Sequence, residues 1–506
     1  MKRLAFLCLL GLFILNVALP GYAEVPPVDI KISGFIDMVS LLFQNIAPGT
    51  PGQAIYSRPT PPLWPSSYPS SLSGAWNHTA AWMESRARLK FDAVMGKAVS
   101  GTIFLEMDSF RWGDDLANPL SPNSKMGYWT ADRAAVKVKN AYFDVALPYV
   151  GIPLPMMLRF GVQPLYLRPY IFTYTDGAGI AGAIKLDPLT ISPMWFKPLE
   201  GKDASADDVD VYGLNVFANA GGLTLGGFGV YHNMNTYPLD QTTPVYGDGP
   251  PFRADMLWLG LYAEGKAGPV DLNFDVVYDH GEVKKAFSTQ VPDVTYEGWA
   301  SRLTINHPWD RFNLGATFMY ASGADQKKTS QSGLPGSITP YGSITSKVGS
   351  YVIPPGSEQY AGGESLIVYG SWIARSEIGF FVFPNTASSR LTRGSWGGTW
   401  FAKLFAGYKL TSWYKVSIEA FYIGDTTKNG NTLGNPAKAN GQPRDDKTIG
   451  WEFDWINNFL IYQNLKFDVG LGYLFAGSAL EQAGRFGENV SFKNPWIVAT
   501  HLTYEF

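Results

Sequence analysis

The sequence predicts an all-β transmembrane antiparallel barrel, with eighteen strands favoured and sixteen next. Three observations lead there. The final strand alternates oily and polar residues up to its last position. The connections sort into tight turns and long polar loops that follow one another along the chain. The composition is aromatic-rich at 15% and sparing of charge at 16%, where a soluble domain carries about 25% charged residues. Beyond the first segment no apolar run approaches the roughly 18 residues that a spanning helix needs.

The chain begins with Lys2 and Arg3, then an apolar run from Leu4 to Leu15, then Gly21-Tyr22-Ala23 with small residues where a signal peptidase reads. Residues 1–23 are thus expected to be a signal peptide and 24–506 a single barrel domain. Cys8 is the chain's only cysteine and lies in the apolar run, so the mature protein has no disulfide, thiol nucleophile or thiolate metal site to offer.

The first mature strand reads as Ile30 to Phe43. Residues 44–79 follow as a loop, because Pro59, Pro61, Pro62, Pro65 and Pro69 cannot sit in a closed ladder. The next strand alternates most cleanly. Ala81, Met83, Ser85, Ala87, Leu89, Phe91 and Ala93 form one face, and Trp82, Glu84, Arg86, Arg88, Lys90 and Asp92 the other. Three neighbouring cations need water, so the second face is expected to look into a lumen. Met95-Gly96-Lys97 turns the chain back into a strand carrying Glu106 and Asp108, with Phe104 as an apolar exception on its polar side.

The same rhythm recurs. Tight turns at Asn219–Gly222, Lys266–Pro269, His307–Asp310 and Leu410–Trp413 join paired strands, and the loops 233–254, 281–294, 323–397, 425–447 and 476–493 separate the pairs. Short turns on one rim and long loops on the other are the pattern of an outer-membrane barrel. With both ends on the periplasmic side the strand number is even. Counting a hairpin about Asp187-Pro188, within Gly179–Pro198, yields eighteen strands; merging it into a loop yields sixteen. Ser365–Phe383 reads either as another hairpin or as part of a very long loop.

At the end, Trp496, Val498, Thr500, Leu502, Tyr504 and Phe506 share one face of the last strand. Tyr504 and Phe506 resemble the terminal signal that bacterial outer-membrane barrel assembly machinery recognises.

A barrel of this size is too wide for side chains alone to fill and is expected to hold water. Its candidate pore-lining residues are Arg86, Arg88, Lys90, Lys137, Lys139 and Arg159, with Glu106, Asp108, Asp271 and Asp275 of the other sign. Opposed signs on different wall segments set a transverse field in the lumen. The stretch Tyr166–Tyr170, or the acidic stretch Asp203, Asp207, Asp208 and Asp210, is a candidate for a loop that folds inward. The acidic spacing matches no EF-hand. Trp82, Trp258, Trp299, Trp309, Trp400, Trp413 and Trp496 are expected at the membrane interfaces.

Chemistry of other kinds finds no support. His78, His232, His280, His307 and His501 show no metal-pair spacing. Gly226-Gly227-Phe228-Gly229 sits within a strand rather than before a helix, so it is no phosphate loop. The net charge of −3 argues against a nucleic-acid role. No enzyme activity, cofactor or metal is expected.

Glu84–Asp92, Gly101–Asp108, Trp112-Gly113, Lys139–Asp144, Leu158–Gln163, Trp195–Pro198, Asp208–Asp210 and Gly424–Thr426 resemble segments of the outer-membrane homotrimeric porins of sulfate- and metal-reducing Gram-negative bacteria. The resemblance touches most of the chain through short motifs and is weakest over 323–397. It implies a porin in the cell outer membrane, passing small hydrophilic solutes and ions by passive diffusion. The implied partners are outer-membrane lipid, lipopolysaccharide, the barrel assembly machinery and two further copies in a homotrimer. The alternative is a substrate-selective channel for an anionic solute or a polysaccharide. A sheath around a multihaem cytochrome and an outer-membrane hydrolase are more distant readings.

Overall fold

A computed structural model of the chain describes residues 27–45, 79–112, 136–147, 155–200, 208–237, 252–285, 293–325, 347–354, 357, 363–370, 373, 397–432, 445–483, 489–491 and 493–506. The predicted signal peptide lies outside these residues. Eighteen strands form one closed antiparallel wall. They are β1 (Val28–Gln44), β2 (Thr79–Met95), β3 (Val99–Arg111), β4 (Lys137–Leu147), β5 (Met156–Leu167) and β6 (Thr173–Leu186). Next come β7 (Leu189–Leu199), β8 (Val209–Ala220), β9 (Leu223–Tyr237), β10 (Phe252–Ala267), β11 (Val270–Lys285) and β12 (Val294–Trp309). The last six are β13 (Phe312–Ala321), β14 (Thr399–Lys409), β15 (Tyr414–Asp425), β16 (Thr448–Tyr462), β17 (Leu465–Ala476) and β18 (Trp496–Glu505). The Asp187-Pro188 hairpin exists, which decides eighteen over sixteen.

Each strand pairs with its sequence neighbours, and β18 also pairs with β1, from Phe35 opposite Glu505 to Gln44 opposite Trp496. The Gly34 N–H donates to the Phe506 carbonyl at 2.9 Å, and the Phe506 N–H donates to the Gly34 carbonyl at 3.0 Å. Every wall strand is thereby paired on both sides. Lipid cannot satisfy a free strand edge, so closure is a condition for spanning a membrane.

The period-2 alternation assigns the faces. Outward positions are large and apolar: Ile36 and Leu42 on β1, Leu259 and Leu261 on β10, Leu404 on β14, Ile418 on β15, and Phe453 and Trp455 on β16, all exposed. Outward aromatics make a contact row towards each rim. One runs Phe318, Trp400, Tyr422, Trp451, with ring centroids 4.9–6.1 Å apart. The other contains Phe312 with Tyr408, and Tyr414, Phe459 and Phe467, at 4.6–6.2 Å. An oily exterior flanked by aromatic rows around a polar interior is the construction of an outer-membrane barrel, and it places the protein there. Trp82 and Trp258 depart from the interface expectation. Both face inward: Trp82 packs edge-on against Phe43, and Trp258 is wholly buried.

The interior is not simply wet. Apolar side chains project inward from β1 (Val39, Leu41, Phe43) and from β7 to β10 (Phe196, Val211, Phe228, Val230, Met256, Trp258), and all are buried. On the β9–β10 side, Phe228 and Trp258 are covered by two segments that turn into the barrel. One is the β5–β6 connection, with Ile171 and Phe172 buried. The other comes from the long β13–β14 connection, with Tyr351–Ile353, Leu366–Tyr369 and Ile373 buried. Within Ser365–Phe383, the described residues 365–370 and 373 form no strand, so this part belongs to a loop rather than a wall hairpin.

Candidate functional site

Arg86, Arg88 and Lys90 of β2 point inward, as strand parity requires, because their partners across β1 are Asp37, Phe35 and Ser33. The three cations do not stand as a bare positive stripe. Arg86 pairs with Asp37 at 3.0 Å, Arg88 with Glu106 of β3, and Lys90 with Asp92 at 2.8 Å. The Arg86 and Arg88 guanidinium carbons also lie 5.2 and 5.5 Å from the Phe35 ring centroid, and Phe104 takes Arg88 at 5.9 Å. Like charges on one face are tolerated because each has its own acid and most have a ring. His501 of β18 reaches the same Asp37 at 3.2 Å, so the first basic pair sits on the barrel seam.

Next along the wall, Arg159 of β5 grips Asp144 of β4 with two hydrogen bonds, at 2.7 and 3.0 Å, and lies 4.2 Å over the Tyr142 ring. A register shift between β3 and β4 brings Lys139 and Asn140 together onto Asp176, at 2.6 and 2.7 Å. Lys139 is consequently almost enclosed, its side chain 6% exposed. Lys137 is exposed and stands opposite Glu106. Asp108 belongs to β3, but its side chain lies outside the described residues. Exposure separates the partners of the wall pairs. Lys90 is 36% exposed against 24% for Asp92, and Arg159 is 34% against 16% for Asp144. Arg86 and Arg88 likewise exceed their acids. In these four pairs the cation is the more open member, whereas in the Lys139–Asp176 pair it is the acid, at 19% against 6%.

The inward segments meet the opposite wall through a second set of charges. Arg168, at φ 49° in the β5–β6 connection, bonds Asp275 of β11 and Glu264 of β10, the latter at 2.6 Å, with its guanidinium 4.5 Å from the Tyr262 ring. Asp275 is therefore a buried anchor for this turn. Asp271 accepts a hydrogen bond from Asn306 at 3.3 Å. Of the two stretches suggested as inward loops, Tyr166–Tyr170 leads into the turn that enters the barrel. In the acidic stretch, Asp208 pairs with Lys197 at 3.3 Å and Asp210 accepts from the Trp195 indole at 3.2 Å. Asp203 and Asp207 lie outside the described residues.

The larger segment is held mainly by wall carboxylates that capture its backbone. Asp279 accepts from the N–H of Val352 at 3.2 Å, and Asp454 from Leu366 at 2.9 Å. Glu452 accepts from Ile367 and Val368 at 2.6 and 3.1 Å, and from the Ser365 hydroxyl at 2.9 Å. The Trp258 indole donates to the Val352 carbonyl at 2.8 Å. The segment returns one carboxylate of its own. Glu364 is buried and accepts from Arg302 of β12 at 2.7 Å and from Lys403 of β14 at 2.8 Å. Burial by itself pushes the Glu364 carboxyl up, but the two cations outweigh burial and hold it below the ordinary glutamate value.

Arg302 and Lys403 were absent from the sequence-based set, although parity puts both on inward faces. Glu364 carries no sequence signal, because its segment has no periodicity. Among the described residues no group of three or more potential metal ligands occurs.

No family model matches the chain, and no curated protein matches it. Solved structures of Pseudomonas aeruginosa proteins align with the chain over most of its length. OccK8 (OprE) aligns over 96% of this chain and 99% of its own, at 12% identity and a TM-score of 0.49. OpdQ aligns over 94% and 98%, at 9% identity and 0.47. The outer membrane protein OpdK aligns over 94% and 98%, at 9% identity and 0.45. These likenesses transfer no residue roles, and the reading of the lumen rests on this chain's own wall.

Proposed function

We propose that this protein is an outer-membrane channel for small hydrophilic solutes, with a lumen narrowed by the two inward segments and selective for anions. The observation that carries the reading is the exposure asymmetry of the wall pairs. Arg86, Arg88, Lys90 and Arg159 each present more surface than the acids that neutralise them. A passing anion meets cations at short range, while the paired acids keep the desolvation cost of the wall low. Lys137, Glu106, Asp108 and Asp271 are assigned to the same lining as supporting charges, while Lys139 and Asp275, enclosed by Asp176 and Arg168, brace the wall behind it. A general diffusion porin is the second reading, favoured by the charged early wall and disfavoured by the apolar packing of Tyr351–Ile353 and Leu366–Tyr369 inside the barrel.

The test is a planar bilayer under a salt gradient. The expected reversal potential has the anion sign and moves towards cations in a Lys90→Gln/Arg159→Gln variant. A reversal potential that stays in place would remove selectivity from the reading, and a silent bilayer would remove the channel. Three further parts belong to the proposal. Residues 1–23 are removed on export, read by N-terminal sequencing. Tyr504 and Phe506 are recognised by the assembly machinery. Three copies associate, read as the mass of the unheated protein.

A further inference from the structure

At the short-turn rim, β14 and β15 end on two lysines that face each other across the pair, Lys409 opposite Lys415. Like charges placed directly opposite on one sheet face destabilise the pairing. Neither lysine forms an ion pair among the described residues, and both are exposed. The ideal Cβ position at Gly407 lies 3.0 Å from Lys415 Cε, so the Lys415 stem runs along the inner wall rather than out into lipid.

The same register row continues from Lys415 to Asn458 on β16 and Asp468 on β17. Asn458 donates to one oxygen of Asp468 at 2.6 Å, and Asp468, which also interacts electrostatically with Lys466, is the acid of this row. Lys466 stands beside them, paired with Glu505 at 2.8 Å, both about half exposed. The next acid along, Glu419, acts electrostatically on Lys415 and is held by Lys403 at 3.6 Å. Lys409, Lys415, Lys466, Thr411, Asn458 and Asp468 line the polar side of an open cavity of about 410 Å³, whose other side is Trp413, Tyr414, Phe459 and Leu460 at the rim.

We infer that this cavity is a binding cup for a phosphate group. The opposed pair Lys409 and Lys415 supplies two ammonium groups with no protein acid between them, Lys466 supplies a third, and Asn458 and Thr411 supply neutral polar atoms. A phosphate anion placed there turns the repulsion of the opposed lysines into two charge-assisted hydrogen bonds. The group comes either from a phosphorylated solute in the lumen or from a phospholipid headgroup at the membrane edge. The inference uses the barrel's closure and the inward register of its lysines, and does not depend on conduction.

The experiment is calorimetric titration of the full barrel in neutral detergent with pyrophosphate. Wild type is expected to bind one equivalent. Lys409→Gln/Lys415→Gln should weaken binding at least tenfold, and Lys97→Gln/Lys185→Gln, which removes two exposed charges elsewhere on the same rim, should not. Absence of binding, or equal weakening in both variants, overturns the cup. Native mass spectrometry of barrel taken from phosphatidylglycerol–phosphatidylcholine vesicles then identifies the source. Retained phosphatidylglycerol that is lost in Lys409→Gln/Lys415→Gln assigns the headgroup, and pyrophosphate binding without retained lipid assigns the solute. A barrel that binds no pyrophosphate yet conducts anions refutes the cup and leaves the channel standing.

Discussion

Replacing Glu364 by Gln tests whether the larger inward segment is electrostatically latched. Glu364 is 3% exposed and accepts from Arg302 and Lys403 at 2.7 and 2.8 Å. Gln keeps the shape and one acceptor but removes the carboxylate from buried Arg302 and leaves Lys403 with only Glu419 at 3.6 Å. Breaking a buried pair in this way costs about 3–5 kcal/mol. At about 1.4 kcal/mol per factor of ten, even the lower figure raises the undocked fraction of residues 363–370 roughly a hundredfold. The anchors from Asp279, Glu452 and Asp454 remain, so the expected change is local opening rather than unfolding. Single-channel recording reads it directly, with more low-frequency noise and brief steps of higher conductance in Glu364→Gln. The apolar triple Arg302→Leu/Glu364→Leu/Lys403→Met should quieten the channel again, since a buried ion cluster can be exchanged for well-packed apolar groups at little cost. If the Glu364→Gln trace matches wild type in conductance and noise, the latch argument is wrong.

Four further outcomes are expected. Acid should erase the difference between wild type and Glu364→Gln. The carboxyl is held below its ordinary value of 4.5, so its contribution is complete above that value and is lost as pH falls through the lower folded value; recordings on a descending pH ramp check this. Gly34→Ala should lower the temperature at which the barrel unfolds in heat-modifiability gels, because the new Cβ sits 2.2 Å from the Arg88 carbonyl oxygen at the seam, an overpacking worth about 1–3 kcal/mol. Deleting Phe506 removes both seam hydrogen bonds to Gly34, and the yield of folded barrel in the outer-membrane fraction should drop. Arg159→Lys should lose anion preference although charge is conserved, because lysine cannot reproduce the two-pronged grip on Asp144; reversal potentials compare the two.

Most of the wall was legible residue by residue. Arg86, Arg88 and Lys90 alternate with Ala87 and Leu89, and a strand has only two faces, so a charged triplet can take only the wet one. The Asp187-Pro188 turn announced its hairpin in the same local way. Trp82 and Trp258 were misplaced because an aromatic near a strand end suits an interface and an interior equally well. Parity alone, counted from Glu84 or from Glu264, would have turned both inward. Arg302 and Lys403 are open to the same count, but their shared acid Glu364 lies in a segment without period.

The sequence by itself determined the closed wall, its even strand number, and which side of each strand meets lipid, because those follow from a two-residue period and from turn chemistry within a few positions. Only the tertiary structure decided what occupies the inside. Glu364 finds Arg302 from 62 residues away, and Glu452 caps Ile367 across 85. Such pairings join a segment without period to a strand far along the chain, so nothing local encodes them. The same long-range pairing decides which cations are spent on an acid and which still face the water.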